Sequence, residues 1–459
     1  MKFQFLFPFL VGGAALSGCL GNSGESLPPP TGIKPVVGDG IVGVTWTSEP
    51  DVSYLVFGST KPNLTTLNWL DAGIAGFALN NQGTKAQPPT FLCGAPNGAT
   101  YYFVIDAHTG TAPGGASSPA MPATGRSAGG QGLWALGAAI GTNIDGVGYA
   151  ATTACVPFGV PSLPGGWFVA VGPGGKIFTS KDGGHRWSPA TVPSGYAIKL
   201  NGVAGYVTPI NTPTVPAFVF VAVGDGGNVL TSADGLTWTP HTSTSTTQNF
   251  NAVTLANGIF IAVGDTGVIR TSPDGVTWLS PTSNTSFNLH AVQCVSSTCY
   301  AVGDGGQITQ SIDTGSTWTA QTLTGAPTLR AVAYGNYDNN VTNIAGPGTI
   351  GIGGTIPTGI DTWVAVGDGG VAFSNVNGAG WTPVPIAGAP NLTAIAYTSQ
   401  FVALDAVGNA YTTQTATGTG VAGMWTAVGT TNLSSAAAIV STGYGYVAVG
   451  VDGSNASSY

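Results

Sequence analysis

One phrase recurs along the last two thirds of this chain, and it limits the fold more than any other feature. Its fullest copy runs Phe220-Val221-Ala222-Val223-Gly224-Asp225-Gly226-Gly227-Asn228-Val229-Leu230-Thr231-Ser232-Ala233-Asp234-Gly235-Leu236-Thr237-Trp238. Relatives begin at Phe168, Phe260, Cys299, Trp363, Phe401 and Tyr446, and the sixth of the seven is degraded. A shorter phrase, Leu200-Asn201-Gly202-Val203-Ala204, precedes it, with relatives at Ile144, Phe250, Leu289, Leu329, Leu392 and Leu433. The period is about 40 residues where nothing is inserted, which is the length of a four-stranded propeller blade. Within one unit, LNGVA reads as inner strand A, FVAVG as strand B and NVLTS as strand C, and the Trp opens strand D. Gly-Asp-Gly-Gly between B and C suits a tight turn, because Gly takes φ > 0 at no cost and Asp tolerates it. The seventh copy has no strand-D Trp of its own. Trp134 lies 13 residues before Val147, much as Trp318 lies 14 before Val332, so Leu133-Trp134-Ala135-Leu136 is expected to supply strand D of the last blade and close a seven-bladed ring.

Composition agrees with short strands and Gly-rich turns. The 459 residues include 72 Gly and 31 Pro, and only 7% are charged against roughly 25% in an ordinary domain. The Gly has no three-residue period, which excludes collagen. Apolar residues at 43% suffice for a core. A net charge of −8 with 11 basic residues argues against a nucleic-acid partner. The expected class is all-β.

The N-terminal part is organised differently. Lys2, an apolar run from Phe5 to Leu16, and Leu16-Ser17-Gly18-Cys19 read as a secretion signal over residues 1–18. The run is too short to span a bilayer comfortably. The last four residues resemble a bacterial lipobox, which implies lipidation of Cys19 and a membrane partner through that anchor. With no Asp after the Cys, the resemblance implies the outer membrane of the cell envelope. A plain signal peptide with a chance Cys is the other reading. Residues 19–30 read as a polar, Pro-rich linker. Residues 31–124 alternate with period 2, placing Tyr101, Phe103 and Ile105 on one strand face. This segment resembles a fibronectin type III domain, with Trp46 on the second strand and Tyr101 after an Asn97-Gly98 turn. Another small β-sandwich remains the alternative. Residues 125–131 read as a Gly-rich hinge, and 132–459 as the propeller.

The C–D turns resemble the Asp-box: Ser180-Asp182-Gly184-Trp187, Ser232-Asp234-Gly235-Trp238, Ser272-Asp274-Gly275-Trp278 and Ser311-Asp313-Gly315-Trp318. Blade five keeps Ser374 and Trp381 with Asn377 in place of the acid, and blade six keeps mainly Trp425. The expected role is structural: the carboxylate accepts turn N–H groups, Gly turns the chain and Trp wedges into the core. The region as a whole resembles the propellers of the photosystem II stability/assembly factor family. Photosynthetic members are described as using an arginine-rich patch. Here Arg186, Arg270 and Arg330 lie in different blades, so the resemblance implies the fold and not that role.

Catalytic inventories fail or stay thin. Asp-box sialidases need an Arg triad and a Glu, but the two Glu, Glu25 and Glu49, lie outside the propeller. Asp225, Asp265, Asp304 and Asp368 occupy equivalent B–C turns and should form a partial ring on one rim; Pro173 stands there in blade one, with Asp405 and Asp452 nearby in the last two. They read as turn formers, with a site for cations or a basic partner as the functional alternative. His108, His185, His241 and His290 show no metal spacing and read as surface or turn residues. No metal or cofactor is expected. Cys294 and Cys299 fall in facing columns of an A–B hairpin and are expected to form a disulfide; Cys93 is expected in the sandwich core, and its pairing with Cys155 is open. Blade five carries a long A–B insertion, roughly residues 335–361, the best loop candidate for recognition. The favoured function is a non-enzymatic envelope lipoprotein that binds a protein partner or scaffolds assembly. The alternative is a polysaccharide-active glycoside hydrolase or glycan-binding protein.

Overall fold

The computed structural model describes residues 27–38, 41–49, 52–68, 71, 73–74, 77–78, 90–93, 100–108, 118–124, 134–150, 167–180, 184, 186–208, 217–241, 245–337, 360–386, 388, 391–397, 400–413, 425–433, 435–441 and 446–458. Among them every regular element is a strand or a short 3-10 turn, and no helix is long and apolar enough to cross a membrane.

The first seven strands form two antiparallel sheets. They are β1 (Lys34–Gly38), β2 (Ile41–Thr45), β3 (Ser53–Ser59), β4 (Phe77–Ala78), β5 (Thr90–Cys93), β6 (Thr100–His108) and β7 (Met121–Thr124). The sheet orders are β1-β2-β5 and β4-β3-β6-β7. Alternation along β6 sends Phe103, Ile105 and Ala107 into a core with Val42, Val44, Trp46 and Tyr54, and Tyr101 packs at its edge. Trp46 lies one residue beyond β2, and its ring is 5.3 Å from that of Tyr54. The opposite face of β6 is not left to solvent: Val104 packs with Phe57, Leu64 and Ile74. The sandwich also begins earlier than composition suggested. Leu27, read as linker, packs on the core, and its N–H donates to the Ala107 carbonyl. Pro28, Pro29 and Pro30 disguise that contact as spacer.

The propeller comprises seven sheets. Their inner strands A are Gly146–Ala150, Leu200–Thr208, Phe250–Ala256, Leu289–Val295, Leu329–Tyr337, Leu392–Tyr397 and Ala436–Ser441. Each touches the next, and the last touches the first, so the ring closes. Blade seven takes its strand D from the other end of the region: Ala135–Leu136 pairs with Asn455–Ser458, and Trp134 packs into the core shared by blades six and seven. Strand A of this blade starts at Ala436, opposite Gly450, and not at Leu433. The apolar Leu433 mimics the phrase, but register is set by pairing with strand B.

Strand B is buried on both faces, as Phe220, Val221, Ala222 and Val223 illustrate. That explains its continuous apolar run, since both flanking blades cover it. Neighbouring strands A approach closely. A Cβ on Gly146 would lie 2.7 Å from the Asn201 carbonyl oxygen, so blades one and two require a Gly at 146. Blade three departs from the four-strand expectation, with three strands and a single bridge, Thr271 to Leu279. That bridge exchanges both backbone hydrogen bonds. The next inward-facing N–H along strand D belongs to position 281, which is Pro, so the ladder stops. Blade two survives Pro240 because it falls one position earlier, out of the bonded register.

Candidate functional site

Among the described residues, the Asp-box and turn-acid candidates lie on the two rims of the propeller. On the rim of the A–B and C–D turns, blades two, three and four build one turn. The Ser hydroxyl oxygen accepts the N–H of Gly235, Gly275 and Gly315 at 2.9, 2.8 and 2.8 Å. The same hydroxyls of Ser232, Ser272 and Ser311 donate to Oδ1 of Asp234, Asp274 and Asp313. Asp234 accepts the N–H groups of Leu236 and Thr237, Asp274 those of Val276 and Thr277, and Asp313 that of Thr317. Trp238, Trp278 and Trp318 then donate Nε1–H to the carbonyl of the turn Gly at 3.1, 3.1 and 2.9 Å. This bond was not anticipated, although a Trp three residues after an obligatory Gly was the signal for it.

The aspartates are therefore committed to structure. Burial opposes ionisation of Asp234 and Asp274, but the turn N–H groups and the Ser hydroxyl outweigh it and hold both carboxyls below the ordinary 3.8. For Asp313 the Thr317 hydroxyl leads in the same direction. In blade one, Asp182 and His185 lie outside the described residues. Ser180 still accepts the Gly184 N–H at 3.0 Å, and Trp187 still donates to the Gly184 carbonyl at 2.9 Å. In blade five, Asn377 folds its side chain onto the Asp361 N–H at 2.9 Å, and Ser374 meets Thr382.

The opposite rim holds the B–C turns. Asp225, Asp265, Asp304 and Asp368 each head a 3-10 turn, and their N–H groups donate to the carbonyls of Lys199, Asn249, Asn288 and Thr328, just before strand A of the same blade. Strand A is bulged at its second residue in blades two to seven. In blades two to five the bulged residue turns onto the turn acid. Asn201 donates to Asp225 at 2.9 Å, Asn251 to Asp265 at 3.0 Å and His290 meets Asp304 at 2.6 Å, while Arg330 grips Asp368 through Nε and Nη2. Asp225, Asp265, Asp304 and Asp368 thus share one rim as turn residues, and each is ion-paired or hydrogen-bonded within it. Burial opposes ionisation of Asp304, and His290, Asn288 and Thr328 outweigh it to leave that carboxyl below its ordinary value. In blade one, Asp145 pairs with Lys199 of blade two at 3.4 Å, yet burial prevails and raises its pKa. Asp405 is fully buried and caps its own turn through the N–H groups of Val407 and Asn409. No group of three or more His, Cys, Asp or Glu that could hold a metal occurs among the described residues.

The remaining candidates divide. Cys294 and Cys299 are joined, with S–S 2.04 Å, and sit directly opposite each other across the blade-four A–B hairpin. The same register holds Tyr149 against Phe168, Tyr334 against Trp363 and Tyr397 against Phe401. His108 is a correction. It is 3% exposed on β6 beside buried Asp106, 3.7 Å away, and is neither a surface nor a turn residue. Both lie on the Val104 face of β6, which is covered and not open to solvent. His241 meets the Thr231 hydroxyl at 2.8 Å. Trp167 packs against the core shared with blade two. Cys19 and Cys155 lie outside the described residues, as does most of the blade-five insertion. Its ends are strand and not loop: Tyr337 pairs with Ile360 and Gly335 with Thr362.

No family model matches the sequence, and no curated protein matches it. Among solved structures, the chain is similar to YCF48 bound to D1 peptide, with 15% identity, 71% of this chain and 95% of that one covered, and a TM-score of 0.49. It is similar to the WD40 β-propeller domain of Doa1, with 12% identity, 72% and 97% covered, and a TM-score of 0.49. The seven-bladed assignment rests on the chain's own sheets and their circular order.

Proposed function

We propose that this chain is an exported lipoprotein, anchored to the bacterial cell envelope through Cys19, whose propeller is a docking scaffold for a protein partner. The sandwich would be a fibronectin type III-like module between anchor and propeller. Its three-plus-four strand order and the Trp46–Tyr54 pair support that reading. The outer membrane is the proposed location, from the residues that follow Cys19.

One observation carries the non-enzymatic reading. Asp225, Asp265, Asp304 and Asp368, the strongest candidates for acid–base work, are held by Asn, His or Arg side chains within the rim. A hydrolytic pair needs two carboxyl groups facing a shared substrate space. Rigid rims of a closed ring are suited to recognition instead. The experiment is co-purification from detergent-solubilised membranes, with Cys19→Ser as the unanchored control. Wild type is expected in the membrane fraction with one or more reproducible protein partners, and Cys19→Ser in the soluble fraction. Release of reducing sugar from envelope polysaccharide, abolished by Asp→Asn changes on the rim, would replace this reading with the hydrolase.

A further inference from the structure

Three seams between blades on the B–C rim are closed by a repeated bracket. The residue before strand A of one blade reaches back to the B–C turn of the blade before it. Asn249 Oδ1 accepts the Gly226 N–H at 2.9 Å, Asn288 Oδ1 accepts the Thr266 N–H at 2.9 Å, and Asn391 Oδ1 accepts the Gly369 N–H at 3.0 Å. In two of the three the same carboxamide also donates. Asn249 Nδ2 bonds Asp265 and Asn288 Nδ2 bonds Asp304, each at 2.9 Å. The carboxamide is thus read by a backbone donor on one side and a carboxylate acceptor on the other.

At the seam between blades four and five this group is missing. Thr328 stands in its place, one atom too short, and its hydroxyl turns to Asp304 at 3.3 Å. Among the described residues, the Gly305 N–H has no hydrogen-bond partner. A Cβ built on Gly305 would meet only the edge of the Phe287 ring, at 3.5 to 4.0 Å, and Phe287 is itself 45% exposed. Asp304 and Asp368 flank the turn, held by His290 and Arg330. The seam of blades one and two also lacks the Asn, but there Lys199 crosses it to Asp145.

We propose that the blade-four B–C turn, at its seam with blade five, is a docking subsite for the side-chain carboxamide of an Asn or Gln in a partner polypeptide. The carboxamide oxygen accepts the Gly305 N–H, its NH2 donates to a rim carboxylate, and its aliphatic stem lies on Phe287. The class follows from what the protein supplies at its own seams. A carboxylate ligand would face Asp304 and Asp368, and an ammonium cannot accept the N–H. The biological occupant rests on the partner-binding reading above; the subsite itself does not, and it is tested on the protein alone.

The test follows the Gly305 backbone amide by NMR during titration with N-acetyl-asparagine amide and, separately, N-acetyl-aspartate amide. A saturable shift with the asparagine probe and a severalfold smaller one with the aspartate probe is expected. Thr328→Asn should fill the subsite from within, abolish the shift and slow hydrogen exchange at Gly305 roughly tenfold. Phe287→Ala, a surface change, should weaken the shift severalfold. No shift, equal shifts from the two probes, or a shift that persists in a folded Thr328→Asn protein would overturn the proposal.

Discussion

Blades two to four and blades five to seven share one ring and one A-B-C pairing scheme, but they finish their outer strands by different means. In the first group a Ser, an Asp, a Gly and a Trp satisfy one another within seven or eight residues. In the second the same work is scattered. Blade five uses Asn375 and Asn377, blade six uses Thr412 against Gln400, and blade seven recruits Trp134 from the start of the domain. The strands themselves hardly change, since Val364 and Ala365 of blade five or Val402 and Ala403 of blade six are as buried as Val221 and Ala222 of blade two. Strand A and strand B burial therefore specifies the blade, and the Asp-box is one local way of finishing it.

The comparison is broken most forcefully at the Trp wedges. Trp238 is 2% exposed and hydrogen-bonded, whereas Trp425 is half-buried. Trp238→Ala should cost about 3–5 kcal/mol in urea unfolding, and Trp425→Ala clearly less. Equal losses would mean that the late blades depend on the wedge as the early ones do. Next in size is the blade-four staple. Cys294→Ser with Cys299→Ser removes a short-loop cross-link and should cost about 2 kcal/mol. Labelling of both thiols in the untreated native protein would show that no staple exists.

A smaller effect is expected from Asp234→Ala. The loss should be about 1–2 kcal/mol, because two turn N–H groups lose a charged acceptor, while Asn377→Ala in blade five should cost less. The smallest effect concerns pH. Asp234, Asp274, Asp304 and Asp313 all have folded-state pKa values below the ordinary 3.8. Their contribution is full above 3.8 and is lost as pH falls through the folded values. Acid titration of the Tm should therefore steepen below pH 3.8, and the triple change Asp234→Asn, Asp274→Asn and Asp313→Asn should flatten it. An unchanged slope would assign acid sensitivity to other groups.

Much of this was legible in the sequence because a blade is a local unit. Phe220 to Trp238 contains its own strand, turn, strand and cap, so spacing alone places them. Trp134 was legible for the same reason, since its distance to Val147 repeats that of Trp318 to Val332. What escaped depends on contacts between units. The Asn249 and Asn288 brackets join residues more than 20 positions apart across a seam, although an Asn one position before strand A's first residue, in phase with a turn Asp, was a readable trace. His108 escaped because burial of the second face of β6 depends on Leu64 and Ile74, which no alternation in β6 reveals. Pro281 could have been read as a broken strand D only with the bonded register of Thr271 and Leu279 in hand.

Closure of the ring by its two ends is the claim on which the architecture and the rims both rest. Leu136 sits directly opposite Ala456 in that closing pair. The direct measurement is oxidation of the Leu136→Cys, Ala456→Cys protein, followed by proteolysis and mass spectrometry of the linked peptides. A high yield of the 136–456 cross-link in the folded protein is expected, with little from a Leu136→Cys, Ser441→Cys control three strands away. Equal yields from the two pairs, or none from the first, would contradict a seven-bladed ring closed by residues 134–136.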